Sequence, residues 1–289
     1  MLTRSLGSAA TLEAMRATIA AILVLAATAT TAHATPAAAP MFAARSTVNP
    51  EVSSNWSGYA AISTDPAVPT AFTDATATWQ EPKSTCTANR RSSAAFWVGL
   101  GGYDPSATSL EQLGTAADCD GSTRAPVDYA WWELVPAPSV RIPLKIRPGD
   151  TITAAVLVHG QTIVFSLKDV THGTRFSKVV NATQALDTTS AEWIAEAPSS
   201  CVTASQCRVV PLTNFGNVTF SKIAAIGNAH PGTLTDGLWT TTPIELISNG
   251  LGDDFRGGDV LGPGVGAVPT DVAADGRSFS VSWAHNLTP

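Results

Sequence analysis

From residue 54 to residue 285 the apolar positions recur mainly with a period of two, in short runs, and not at the 3.6-residue spacing of an amphipathic helix. That pattern predicts strands over 56–62, 75–80, 94–100, 110–114, 129–134, 151–158, 162–169, 174–180, 192–196, 218–226, 244–248 and 278–285. Turn residues punctuate them, as at Pro148-Gly149-Asp150, His159-Gly160-Gln161, His172-Gly173 and Asp275-Gly276. The runs 151–158, 162–169 and 174–180 read as a three-strand meander. Many short strands and no long helical pattern imply one all-β domain over 53–289, an antiparallel sandwich or barrel.

Two strands carry side chains that a plain core would not choose. In Ser190-Ala191-Glu192-Trp193-Ile194-Ala195-Glu196 the alternation puts Glu192, Ile194 and Glu196 on one face and Ala191, Trp193 and Ala195 on the other. A carboxyl group among bulky apolar neighbours is costly to keep charged, so its pKa rises. In Tyr129-Ala130-Trp131-Trp132-Glu133-Leu134 one face holds Tyr129, Trp131 and Glu133. That row suits a concave binding face, or else an aromatic-rich outer face with Glu133 in solvent.

Composition narrows the picture. Charged residues are only 14% of the chain, the formal net charge is −6, and no basic patch exists, so nucleic acid is not an expected partner. The amino terminus reads as a signal peptide over 1–34. Arg4 and Arg16 precede an apolar run over 19–27, and Ala32-His33-Ala34 fits a small-x-small cleavage site. The apolar run is shorter than the roughly 20 residues of a spanning helix, so the processed protein is expected outside the cell and off the membrane. Residues 35–52, rich in Ala and Pro at their start, read as disordered or as a short pro-segment. Cys86, Cys119, Cys201 and Cys207 make an even count in an exported chain and favour two disulfides, paired Cys86–Cys119 and Cys201–Cys207. No C-x-x-C or H-x-x-x-H spacing offers a zinc site.

Catalytic signatures of other kinds are missing. The sequence has no G-x-S-x-G elbow, H-E-x-x-H, phosphate loop or dinucleotide fingerprint. Its five histidines are scattered; His159 and His172 fall at turns, where a solvated role is the default. Gln112, Glu133 and Glu192 remain, each on a short strand among apolar or aromatic residues.

Five motifs in order are Ser54-Asn55-Trp56-Ser57-Gly58-Tyr59, Phe96-Trp97-Val98-Gly99-Leu100, Leu110-Glu111-Gln112-Leu113-Gly114-Thr115, Tyr129-Ala130-Trp131-Trp132-Glu133 and Ala191-Glu192-Trp193-Ile194. Together they resemble the glutamic peptidases, the eqolisin family. The resemblance implies a β-sandwich of two curved antiparallel sheets, lectin-like in architecture. It also implies a pepstatin-insensitive endopeptidase active in acid on polypeptide substrates, without metal or cofactor. By motif, Gln112 and Glu192 match the catalytic dyad. In this reading Glu192 takes a proton from the attacking water and returns it to the leaving amine, and Gln112 donates to the oxyanion while its carbonyl helps hold the water. Glu133 matches a supporting acid that hydrogen-bonds Gln112 or substrate, Trp131 a cleft wall, and Trp97 lines the same cleft. Glu196, four residues beyond Glu192, is left as a solvent-facing strand residue. Two positions that are often acidic in the family are Gly101 and Ala116 here. A monomer is the expected state. The competing classes are a glycoside hydrolase with Glu133 and Glu192 as its carboxylate pair and a non-catalytic lectin-like binding module on the Tyr129/Trp131 face.

Overall fold

The computed structural model describes residues 50–65, 67–203, 206–247, 265–285 and 287. The expected signal peptide and residues 35–49 of the expected pro-segment lie outside them. Contacts divide the chain into residues 1–41 and 42–289, and all described residues belong to the second unit. The described strands are β1 Glu51–Ser53, β2 Trp56–Ser63, β3 Phe72–Gln80, β4 Ser92–Leu100, β5 Leu110–Cys119, β6 Val127–Val135, β7 Val140–Lys145, β8 Thr151–His159 and β9 Thr162–Asp169. They continue with β10 Thr174–Asn181, β11 Ser190–Glu196, β12 Ser199–Thr203, β13 Gln206–Val209, β14 Asn217–Gly227, β15 His230–Gly232, β16 Trp239–Ile247, β17 Gly266–Pro269 and β18 Phe279–Ala284. β1 already begins at Glu51, two residues ahead of the expected domain start, because its backbone pairs in parallel with β16. None of the described residues is helical.

One continuous ladder path runs β10-β9-β8-β3-β14-β18-β17-β16-β2-β11-β4-β5-β6-β7. The turn between the two sheets is made within β14. Its first half, Asn217 to Phe220, pairs with β18, and its second half pairs with β3. A bulge between Ser221 and Ala224, at the start of the second half, holds Lys222 in a left-handed conformation (φ 52°). A bulge bends its strand and adds twist, so one long strand serves both layers. β8, β9 and β10 form the meander expected from their turns.

The interior lies between the layers. Phe96, Leu113, Ala191 and Trp193 from the β11-β4-β5 side meet Trp79, Ile152, Val156, Phe165 and Leu167 from the other, and Phe215, Phe220 and Phe279 join them. Trp193 is 1% exposed, and its indole N–H donates to the Thr76 carbonyl across the layers (3.0 Å). A buried indole needs such a partner. Cys86 and Cys119 form a disulfide with Cα atoms 5.5 Å apart, tying the loop after β3 to the end of β5. Cys207 is also disulfide-bonded, and the β12–β13 ladder sets it opposite Cys201.

A second apolar cluster covers the outer face of the same sheet: Ala60, Ala95, Trp97, Leu110, Ala116, Trp131, Ile194 and Ile244, with Trp56, Tyr103, Tyr129 and Val135 packed against it. The period-two reading of β11 and β6 is therefore visible in space. Ala191, Trp193 and Ala195 face the interior, as do Ala130, Trp132 and Leu134, while Ile194, Trp131 and Tyr129 face outward. All nine residues of β4 are buried because both of its faces are covered.

Candidate active site

Register assembles the site. β11, β4, β5 and β6 are consecutive neighbours, and Glu192 pairs with Gly99, Gly99 with Gln112, and Gln112 with Glu133. These residues form one row across four strands, on the outer, aromatic face. Two inter-strand steps of about 4.8 Å place the Glu192 and Gln112 Cα atoms roughly 10 Å apart, with only a glycine between them. A Cβ on Gly99 would lie 2.9 Å from Trp97 Cζ3 and 3.2 Å from Leu110 Cδ1, so no larger residue fits. Two polar side chains thus flank a position that carries none.

Glu192 is fully buried, and burial holds its pKa well above the usual carboxylate value. The nearby Ser190 hydroxyl offsets this in part, while the Asp187 and Glu111 carboxyls reinforce it. Neither Glu192 oxygen has a well-aligned donor among the described residues. Gln112 is 5% exposed. Its amide nitrogen donates to Glu133 Oε2 (2.7 Å), which fixes the amide orientation and leaves its carbonyl oxygen unpartnered. Burial raises the Glu133 carboxyl, and the hydrogen bond from Gln112 pulls it back down.

The next row lies one strand pleat along: Ile194, Trp97, Gly114 and Trp131. Trp97 and Trp131 are buried at 0% and 6% exposure and make the apolar ground on which the polar row stands. The third row runs Trp56, Glu196, Ala95, Ala116 and Tyr129. Past Glu192 the first row ends at Ala60 and Thr242. There a cavity of about 440 Å³ opens, lined among others by Glu51, Asn55, Trp56, Tyr103 and Ile244.

The solvent-facing assignment of Glu196 is corrected by this geometry. Trp97 Nε1 donates to Glu196 Oε2 (2.7 Å) and Asn55 Nδ2 to Oε1 (3.1 Å). Burial raises its pKa to about 7 against the pull of the Trp97 hydrogen bond. The alternation of β11 was right about its face. What it could not show is that an indole from β4 and an amide from the β1–β2 turn cover it.

Sequence reasoning also passed over Glu111 and Asp187. Glu111 is fully buried on the interior face, and burial pushes its carboxyl to about 8. Its place between Leu110 and Leu113 in an apolar strand was the available signal. Asp187 staples the strand ends: its carboxylate accepts from Gly102 N (3.0 Å), Thr189 N (3.0 Å) and Thr189 Oγ1 (2.7 Å). A Cβ on Gly101 would collide with the Asp187 carbonyl, which accounts for glycine there.

Away from this face, Asp150, Asp169 and His172 place ligand-type atoms within 4.8 Å of one another. His172 Nδ1 lies 2.8 Å from Asp169 Oδ2 and 3.2 Å from Asp150 Oδ1, and its Nε2 is 3.0 Å from Arg147 Nη1. His172 is therefore tied down by its neighbours instead of standing free in solvent at its turn, and a guanidinium beside the group is poor company for a cation.

The arrangement suits hydrolysis by a carboxyl and a neutral amide. In the row, Gln112 and Gly99 stand between Glu133 and Glu192, and Glu133 is engaged by the Gln112 amide (2.7 Å), an arrangement that favours the carboxyl–amide pair over a pair of carboxylates. The model of the peptidase A4 family matches residues 54–251. Scytalido-glutamic peptidase bound to a transition state analog inhibitor shares the fold with a TM-score of 0.60 at 24% identity, over 80% of this chain and 98% of that one. SCP-B, a member of the eqolisin family in complex with the tripeptide Ala-Ile-His, gives a TM-score of 0.57 at 23% identity over 80% and 98%. No curated protein matches the chain.

Proposed function

The chain belongs to the peptidase A4 family, and on that premise we propose that this glutamic peptidase is a secreted endopeptidase that cleaves polypeptides in acid with Glu192 and Gln112 as its catalytic residues. The observation that carries the reading is the row Glu192–Gly99–Gln112–Glu133. It presents a proton-carrying group and a polarising amide on either side of a position without a side chain.

Burial keeps Glu192 protonated in acid. A peptide carbonyl and a water enter the gap. The water oxygen forms its bond to the carbonyl carbon and passes one proton to a Glu192 oxygen. In the same step the proton already on the other Glu192 oxygen moves to the carbonyl oxygen, giving a neutral gem-diol. As the C–N bond then breaks, Glu192 gives the proton taken from water to the amide nitrogen and regains one from a gem-diol hydroxyl, so the carboxyl ends as it began. The second amide hydrogen of Gln112 stabilises the oxyanion, and its unpartnered carbonyl oxygen orients the water. Glu133 acts through Gln112 by holding the amide in one orientation. A glutamine keeps its donor at every pH, which suits an enzyme that works in acid. The cavity beside Tyr103 and Trp56 offers room for a substrate side chain past Glu192. The Cys86–Cys119 disulfide and the signal-like amino terminus support export.

The test is digestion of a denatured protein at about pH 3, with and without pepstatin, by the wild-type chain and by Glu192→Gln. Cleavage by the wild type in both conditions and none by the variant is expected. Full activity in Glu192→Gln sinks the assignment of the dyad.

A further inference from the structure

Trp97 spans the three rows of the outer face. Its indole nitrogen lies at the third row, donating to Glu196 Oε2 (2.7 Å). Its Cζ3, at the far side of the ring, lies at the first row, 2.9 Å from where a Cβ on Gly99 would be. The benzo edge of this indole is thus a wall of the space between Glu192 and Gln112. A rotation about the Trp97 side-chain bonds moves that edge most, because it is the part farthest from the backbone.

Within the packing of the outer cluster, two direct contacts and one relayed through Glu196 limit the rotation. Trp56 packs edge-on against the indole, with ring centroids 5.0 Å apart at 78°. Glu196 accepts the indole N–H. Asn55 Nδ2 donates to the other Glu196 oxygen (3.1 Å), and Ser53 Oγ lies 3.3 Å from Asn55 Oδ1. The hydrogen bonds make a chain from the β1–β2 turn through Asn55 and Glu196 to Trp97. Gly99 has no side chain to brace the indole from the other end.

We infer that Glu196 is a positioning residue for hydrolysis: by holding the Trp97 indole N–H it sets where the opposite edge of the ring lies between Glu192 and Gln112. Glu196 is partly buried, hydrogen-bonds the Trp97 indole, and also feels the Glu133 carboxyl, a repulsion that Glu196→Gln and Glu196→Ala relieve alike. The role requires an acceptor for the N–H and does not require a charge. A misplacement of about 1 Å at a reacting centre can cost on the order of 100-fold in rate, so a weak hold on one indole is consequential. The inference rests on the proposed dyad, and its test separates the two.

Steady-state kinetics on a peptide substrate are compared for Glu196→Gln, Glu196→Ala, Asn55→Ala and Glu192→Gln, with the Trp97 indole N–H followed by nitrogen-15 NMR. Glu196→Gln presents a neutral acceptor of the same length. It is expected to keep kcat within about threefold and to keep a hydrogen-bonded indole signal, whereas Glu196→Ala loses about 10- to 100-fold in kcat with a smaller change in KM and shifts that signal. Asn55→Ala, which leaves Glu196 in place, falls between them and serves if Glu196→Ala does not fold. Wild-type kcat in Glu196→Ala overturns the inference, as does a Glu196→Gln variant as impaired as a folded Glu196→Ala. If Glu192→Gln stays active, the dyad itself has failed, whatever the Glu196 variants do.

Discussion

Glu192 and Glu111 lie in adjacent rows of one sheet and face opposite ways. Both are fully buried, neither has a well-aligned hydrogen-bond donor among the described residues, and burial raises the pKa of both. By burial and titration alone they are the same kind of residue. Their neighbours differ. The row of Glu192 continues into Gly99, Gln112 and Glu133. The row of Glu111 continues into Leu100 and Ala191 on one side and Leu134 on the other. A displaced pKa marks a carboxyl removed from water. What makes one of them a candidate for chemistry is its row: the next strand carries no side chain there and the one after supplies a polar partner. On the interior face the space is filled by leucine and alanine, and the same carboxyl can only titrate.

Variants can break this contrast directly. The largest effect is expected at Glu192→Gln, which keeps size and burial and removes the transferable proton. A loss of at least about 10³-fold in kcat/KM is expected, since one positioned general acid–base group typically contributes about 10²–10⁴-fold. A single-turnover assay in acid reads it. Gln112→Ala removes the amide proposed to face the oxyanion and should cost about 10²–10³-fold, mainly in kcat. Glu133→Ala frees the Gln112 amide from its 2.7 Å hydrogen bond and should cost roughly tenfold. Glu133→Gln restores an acceptor and should recover most of that loss. If Glu133→Ala matched Gln112→Ala, Glu133 would be doing more than orienting its neighbour.

The strands themselves were legible from alternation. The run 162–169 coincides with β9, and 56–62 differs from β2 by one residue at its end. β7 escaped because Val140–Lys145 carries Arg141, Pro143 and Lys145 in six residues, a pattern tolerated on an edge strand and not expected of an interior one. β1 escaped because three residues give no period. Which side chains share a face could be read strand by strand, and the separation of Trp193 from Ile194 followed from it. Which strands lie side by side could be read for the β8–β9–β10 meander from its short turns, and not for strands far apart in sequence. The meeting of Glu192 with Gly99 joins residues far apart in sequence, and local pattern does not encode that pairing. The five ordered motifs supplied the grouping in its place. Glu196 shows the limit of that route: its alternation matched Glu192, but its covering by Trp97 and Asn55 depends on two other strands.

The smallest effect on activity, and the sharpest use of the contrast, is expected at Glu111→Gln. Glu111 has a folded pKa of about 8 against 4.5 for an ordinary glutamate. Between these values the folded protein holds a proton that the unfolded chain has released, so stability falls as pH rises across the window. Below about pH 4.5 both forms are protonated and the group contributes its full share. Glu81, fully buried and also raised to about 8 by burial, adds to the same slope. The wild-type melting temperature should therefore fall from pH 4.5 to pH 8. Glu111→Gln cannot ionise. It should flatten part of that fall, melting several degrees above the wild type near pH 8 and close to it at pH 4.5, with acid peptidase activity retained within about twofold. Glu192→Gln should show the same gain in neutral stability, because its carboxyl is also raised by burial, yet be inactive. Paired calorimetry and kinetics on the two variants would distinguish the faces by function while showing that they share one electrostatic cost. Equal loss of activity in both would mean that Glu111 belongs to the reaction and that the interior face is not inert.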